Sequence, residues 1–263
     1  MHPVGSHDRA HDRPAVSVIA VIPARFDSTR FPGKPLADLA GRPMIEHVYR
    51  RAAATPGVDR VIVATDDERV RQAVERFGGE AVMTSARHRS GTDRLAEVAA
   101  SLTCDVVVNV QGDEPLIAPE AIGAAVAALV GSPEVEITTL RRRLVDPAEY
   151  ASPHVVKVVV DRRGDALYFS RAAIPHERGG HGQRPPPGTY KHVGLYAYRR
   201  TCLLALAALE PTPLELAESL EQLRALEHGL RIRTVETVHD TIGVDTPEDL
   251  EHVRRLLAGL SVT

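Results

Sequence analysis

The sequence predicts an α/β fold built on a mostly parallel, doubly wound sheet, and three observations predict it. Short apolar runs such as Val16 to Ile22 and Asp105 to Val110 have the look of strands buried on both faces, as parallel strands are. Over the first 130 residues these runs alternate with segments of helical periodicity, the pattern of repeated strand–helix crossovers. Polar, Gly- and Pro-punctuated stretches follow the strand ends, where open α/β sheets bind their ligands. The length of 263 residues suits one sizeable domain, and 43% hydrophobic with 25% charged residues is the balance of a globular protein.

Each element can be justified in order. Val16 to Ile22 is the first strand, ending in Pro23, and Ala24 to Pro35 is a loop. Met44 to Ala54 is a helix with Pro43 at its start, where a missing N–H costs nothing. Arg60 to Ala64 is the second strand. Asp66 or Asp67 caps a helix that runs to about Phe77 and stops at Gly78-Gly79. Ala81 to Met83 is a short strand, and Thr92 or Asp93 opens a helix through Leu102. Asp105 to Val110 is the fourth strand, and Pro119 to Val130 is helical.

Beyond residue 130 the pattern changes. Val135 to Leu144, Val155 to Val160, Ala166 to Ser170 and His192 to Tyr198 are strand-like, without comparable helices between them, and Asp161 to Asp165 reads as a hairpin turn. An antiparallel insertion over about 135–198, at the sheet edge, is expected. Pro213 to His228 reads as one helix closed by Gly229, Arg231 to Val235 as a strand, and Thr246 to Leu257 as the last helix. The expected organisation is an N-terminal tail, 1–15, without order, and one domain over 16–263.

Composition excludes several classes of function. A net charge of −3 gives no global grip on nucleic acid. No apolar run reaches the roughly 18 residues of a membrane span. Met1 to Pro14 is polar and lacks the apolar centre of a signal peptide, so a cytoplasmic protein is expected. Cys104 and Cys202 fit no metal or redox spacing. Arg178 to Gly188 is a Gly/Pro-rich loop with no chemical motif. Of 32 basic residues only Lys34, Lys157 and Lys191 are lysines, so each raises the question of whether a compact ammonium is needed there.

Three motifs carry the chemistry. Ile22 to Pro35 (IPARFDSTRFPGKP) joins Arg25, Arg30, Ser28, Thr29, Gly33 and Lys34 directly after the first strand, a set suited to a polyphosphate. It is not a Walker A loop, because Pro35 follows the lysine. Asn109 to Pro115 (NVQGDEP) ends the fourth strand: Gln111 and Gly112 fit close approach of backbone to a ligand. Asp113 is placed where Mg²⁺ binds through a carboxylate and substrate phosphates. In Gly243 to Leu250 (GVDTPEDL) a helix start accounts for Thr246 and Pro247 but not for Asp245, which is either a turn aspartate or a second Mg²⁺ ligand. No G-x-G-x-x-G follows the first strand, which sets a dinucleotide-binding dehydrogenase aside.

With HRSGTDR, YFSRAAIP, KHVGLYAYR and LEQLR, these motifs resemble the 3-deoxy-manno-octulosonate (Kdo) cytidylyltransferases, colinearly from about Ser17 to Arg254. The resemblance implies a nucleotide-diphospho-sugar transferase fold, and CMP transfer from CTP to Kdo, with pyrophosphate released, for lipopolysaccharide biosynthesis. It implies that Arg25 and Lys34 bind the triphosphate, that Pro23, Ala24 and Ser28 line the nucleotide loop, and that Asp113 and Asp245 hold Mg²⁺. Ser90, Gly91 and Thr92 suit hydrogen bonds to a cytosine edge. Arg171, His192, Tyr196, Glu221 and Gln222 match the sugar-acid positions. A homodimer, formed through the insertion, is also implied. Activation of another sugar acid, such as 8-amino-Kdo or a sialic acid, is the alternative within the same chemistry.

Overall fold

The computed structural model describes residues 16–27, 31–88, 90–179 and 184–260. The expected N-terminal tail and part of the Gly/Pro-rich loop lie outside them. Among the described residues nine strands form one sheet: β1 (Val18–Ala24), β4 (Arg60–Thr65), β5 (Ala81–Met83), β6 (Val106–Asn109), β7 (Ile137–Arg143), β8 (Lys157–Val160), β9 (Ala166–Ser170), β10 (Tyr190–Arg199) and β11 (Ile232–Glu236). Two short strands, β2 (Asp38–Leu39) and β3 (Arg42–Pro43), pair separately. The main order is β11-β7-β10-β6-β1-β4-β5. β1 runs parallel to β4 and β6, β5 to β4, and β11 to β7. The fold class therefore agrees with the sequence expectation, and the place of the antiparallel addition differs from it.

The antiparallel addition sits deeper than an edge. β10 is antiparallel to both β6 and β7 and lies between them, so it joins the two parallel parts of the sheet. Only the β8–β9 hairpin projects from this path, through pairing of β8 with β10. β10 is bulged between Val193 and Tyr196. The Thr139 hydroxyl donates to the Leu195 carbonyl (2.7 Å), and the Gln111 amide donates to that of Gly194 (3.1 Å). Such a bulge re-aims the side chains that follow it.

Period-two alternation splits the core in two. Val18, Ala20, Ile22 and Ala24 of β1 pack into one cluster, while Ile19 and Val21 pack into the other. Helices α1 (Met44–Ala53), α2 (Glu68–Arg76) and α4 (Pro119–Val130) cover the first face; α3 (Gly91–Ala100) and α6 (Arg200–Ala207) cover the second. A third cluster joins Leu39 and Met44 to Val244, Leu250 and Val253, seating α9 (Pro247–Leu260) against the β2–β3 pair.

Several boundaries differ from expectation. Asp67 caps α2 as expected, but Ser90, not Thr92 or Asp93, caps α3, in a reciprocal box with Asp93. The helix expected over 213–228 is two: α7 (Pro213–Glu218) and α8 (Gln222–Glu227), broken at Ser219, whose φ is +52°. The short α5 (Pro147–Ala151) and α6 were not anticipated.

Candidate active site

The loop that follows β1 is shaped by its backbone. Gly33 sits at φ +73° and donates its N–H to the Phe26 carbonyl at 2.9 Å. The Phe26 ring lies against Gly33, where a Cβ would meet it at 3.1 Å, and the Arg69 guanidinium covers that ring at 3.4 Å. A tight turn over Lys34–Leu36 with buried Pro35 then holds the Lys34 backbone. Ser28, with Thr29 and Arg30, lies outside the described residues.

Lys34 reaches two carboxylates. Its Nζ lies 2.8 Å from Asp113 Oδ2 and 3.3 Å from Asp245 Oδ1, and its side chain is only 13% exposed. The loops bearing these acids are fastened to each other, since the Val244 N–H donates to the Asp113 carbonyl at 2.9 Å. Asp249 Oδ2 accepts from the backbone N–H of Asp245 and of Thr246 (3.0 and 2.9 Å), which fixes the Asp245 backbone at the start of α9. Beside them Glu114 is buried with Oε2 unpartnered, and desolvation, then Asp113, pushes its carboxyl up to about 8.

Glycine is required at 112. A Cβ there would lie 2.7 Å from the Pro23 carbonyl, so the ends of β1 and β6 close up only without a side chain. Ala24 is buried at the end of β1. Arg25 crosses from the loop after β1 to the HRSGTDR segment, donating to the carbonyls of His88 (2.6 Å) and Ser90 (3.4 Å).

A cavity of about 190 Å³ opens beside these loops. Six sequence candidates line it: Gly91, Thr92, Gln111, Tyr196, Glu221 and Gln222. Asn109, Tyr198 and Leu206 line it too and were not singled out from the sequence. Tyr198 alternates with Tyr196 along β10, a period-two signal that was available. Among the described residues, three buried polar atoms of the lining have no hydrogen-bond partner: Asn109 Oδ1, the Tyr196 hydroxyl and Glu221 Oε1. Unsatisfied buried groups are costly, so a cavity that collects three of them suits a polar ligand. Desolvation raises the pKa of Glu221, Tyr196 and Tyr198.

The remaining candidates surround the cavity. The His192 ring packs edge-on to Phe169 (centroids 5.0 Å) and tilts against Tyr196 (5.3 Å). Desolvation lowers its pKa to about 3, so the imidazole is neutral. Thr139 spends its hydroxyl proton on the Leu195 carbonyl. Nε2–H of His192, 2.9 Å away, therefore donates to Thr139. Arg171 lies outside the lining: its guanidinium donates to the carbonyls of Glu218 (2.8 Å) and Pro153 (3.1 Å), bracing the α7–α8 turn. Ser90 spends its hydroxyl on the α3 cap. Arg94, a fully buried member of HRSGTDR with no role read from sequence, joins Asp66 (2.8 Å) and Thr84, tying α3 to the ends of β4 and β5.

The other lysines are placed differently. Lys157 is fully buried and donates to three carbonyls, those of Ser152, Val155 and Arg171, at 2.6–2.8 Å. Lys191 pairs with Glu149 (2.9 Å) and Asp240 (2.6 Å), away from the cavity lining.

A family model described as Cytidylyltransferase matches residues 19–232. A 3-deoxy-manno-octulosonate cytidylyltransferase of Geobacter metallireducens is 54% identical over 254 residues, covering 94% of this chain and 100% of the relative. One from Solibacter usitatus is 55% identical over 239 residues, covering 91% and 94%. Among solved structures, CMP:2-keto-3-deoxy-manno-octonic acid synthetase complexed with CTP superposes with a TM-score of 0.87 at 50% identity, covering 92% of this chain and 99% of that one. A 4-diphosphocytidyl-2C-methyl-D-erythritol synthase from Anaerococcus prevotii shares the fold, with a TM-score of 0.62 at 12% identity and coverage of 93% and 99%.

Proposed function

The chain belongs to the 3-deoxy-manno-octulosonate cytidylyltransferase family, and on that premise we propose that it transfers CMP from CTP to the anomeric hydroxyl of Kdo, for lipopolysaccharide biosynthesis. The convergence of Lys34, Asp113 and Asp245 next to a polar cavity carries this reading. Gln111 lines the cavity and Asp113 follows two residues later, so sugar and triphosphate meet at the end of β6.

The sugar oxygen forms a bond to the α-phosphorus of CTP, the α–β phosphoanhydride breaks, and pyrophosphate leaves. Nucleotidyl transfer rests on positioning and charge stabilisation rather than protein nucleophiles. Arg25 and Lys34 offset the charge that grows on the leaving group. Pro23 and Ala24, with Gly112 from the end of β6, line the nucleotide, and Gly91 and Thr92 face the base. Tyr196, Glu221 and Gln222 bind sugar hydroxyls, with His192 setting the Tyr196 ring and Arg171 the turn that carries Glu221.

Mg²⁺ fits the acidic pair. The Lys34 ammonium marks a position where Asp113 and Asp245 both face one cation. Two carboxylates completed by substrate phosphates are a typical Mg²⁺ donor set. No cluster of three or more His, Cys, Asp or Glu forms a protein-only cage among the described residues. When bound, Mg²⁺ would lower the pKa of the sugar hydroxyl and polarise the α-phosphate.

The reading includes a homodimer and a cytoplasmic location. Apolar Val145 and Leu167, 71% and 63% exposed within the insertion, support the first, and two free cysteines support the second. No helix among the described residues is long and apolar enough to cross a membrane. Pyrophosphate release with CTP, Mg²⁺ and either Kdo, 8-amino-Kdo or a sialic acid tests the substrate. Release with one of the others but not with Kdo would overturn the assignment. Light scattering tests the dimer.

A further inference from the structure

We infer that Lys34 has a second task besides binding phosphate: it is the placeholder cation of Asp113 and Asp245, and a triphosphate must draw it away before a divalent ion can take both carboxylates. The inference rests on the reading that these carboxylates hold the metal. Lys34 stands 79 residues from Asp113 and 211 from Asp245 in sequence, yet its ammonium spans both, at 2.8 and 3.3 Å. The acids are brought together by backbone, through the Val244–Asp113 hydrogen bond and the Asp249 cap. Two like charges fastened on adjoining loops need a counterion, and the lysine supplies one.

The same oxygens serve a divalent cation, and an ammonium held on them repels it. The lysine backbone is fixed by the Gly33 turn and buried Pro35, so the exchange falls to the flexible side chain. The compact ammonium of lysine on a four-carbon stem suits such a move better than a planar guanidinium fork does. A triphosphate offers the ammonium another anion. Nucleotide and metal then each raise the other's affinity by the same factor, as linkage requires. Loading would be nucleotide-dependent through one side chain.

Two measurements test this on the full chain. Mn²⁺ binding is followed by electron paramagnetic resonance without nucleotide. Lys34→Met should bind Mn²⁺ at least tenfold more tightly than the wild type, Lys34→Arg should not, and adding Asp113→Asn to Lys34→Met should abolish the gain. In the wild-type protein, [ε-¹³C]lysine labelling gives a spectrum of only three lysines, with the Lys34 signal assigned by its loss in Lys34→Arg. That signal should move on addition of CTP in EDTA, while those of Lys157 and Lys191 stay. A folded Lys34→Met that binds Mn²⁺ no better than wild type, or a Lys34 signal unmoved by saturating CTP, overturns the inference. If Asp113→Asn still removes Mn²⁺ binding in the presence of CTP, only the placeholder role falls. If it does not, the metal reading falls with it.

Discussion

At the scale of single residues, the site depends on close approach as much as on charge. Gly112→Ala would drive a Cβ to 2.7 Å from the Pro23 carbonyl, a backbone atom that cannot rotate away. The end of β6 must shift, at a cost of about 1–3 kcal/mol. Because Gln111 and Asp113 flank the glycine, the shift should lower kcat/KM by about 100-fold. Steady-state pyrophosphate release and thermal melting check it; near-normal turnover would mean that the strand end tolerates the displacement. His192 gives a pH signature. Its pKa is about 3 in the folded chain against an ordinary 6.5, so the unfolded chain binds the extra proton between those values. Stability from neutral His192 is thus complete above pH 6.5 and lost on acidification, at up to about 1.4 kcal/mol per pH unit. Glu114, raised to about 8 from 4.5, has the opposite slope between pH 4.5 and 8 and masks the effect in the wild type. The stability difference between wild type and His192→Gln should therefore shrink from pH 6.5 to 4, read by melting at each pH. A constant difference would contradict a neutral, desolvated imidazole. Lys34 and Asp113 stood out at this scale because each sits in a polar segment directly after a strand, whereas Asp245 was left between a turn aspartate and a ligand. The Ser90 cap was legible too, as a Ser three residues before Asp93, but Thr92 and Asp93 competed for the same role.

At the scale of elements, the break between α7 and α8 shows where local pattern stops being sufficient. Residues 213–228 carry helix-forming composition throughout, yet Ser219 turns left-handed, which costs a non-glycine residue about 1–2 kcal/mol. Tertiary contacts offset this. The Ser170 hydroxyl and the Arg171 N–H donate to Glu218 (2.6 and 2.9 Å), and the Arg171 guanidinium holds the Glu218 carbonyl. These partners lie 47–48 residues away in sequence, so periodicity contains no trace of them. The turn buries Leu220 and aims Glu221 into the cavity. Glu218→Ala removes the carboxylate without touching the cavity lining. It should raise KM for the sugar acid by about tenfold, leaving KM for CTP within about twofold, since the loss of hydrogen bonds to a charged group is worth roughly 1.5–3 kcal/mol. Equal rises in both constants would show that the turn serves the whole site and not the sugar side.

At the scale of the whole molecule, the parallel half of the sheet was readable because each strand is followed by its covering helix. The other half was not, because β10 returns from the end of the insertion to lie between β6 and β7, a pairing decided only when the sheet assembles. That return sets Tyr196 and Tyr198 opposite Asn109 and Val107 of β6, which is why the cavity gathers residues from distant segments. The acidic pair depends in the same way on α9. Leu250 and Val253 pack with Val244, Leu39 and Met44, so a core cluster clamps the Asp245 loop to the segment that follows Lys34. Leu250→Ala should cost about 2–4 kcal/mol. In a protein of this size that lowers Tm by about 5–15 °C. Leu203→Ala, also buried but in the cluster on the α3–α6 face, should cost a similar amount. The two variants should part in metal dependence. Measured well below both melting temperatures, Leu250→Ala should need at least fivefold more Mg²⁺ for half-maximal turnover, because Asp245 loses its fixed distance to Asp113, while Leu203→Ala should need no more than the wild type. A shared increase would mean that global loosening, and not the α9 clamp, controls the carboxylate pair.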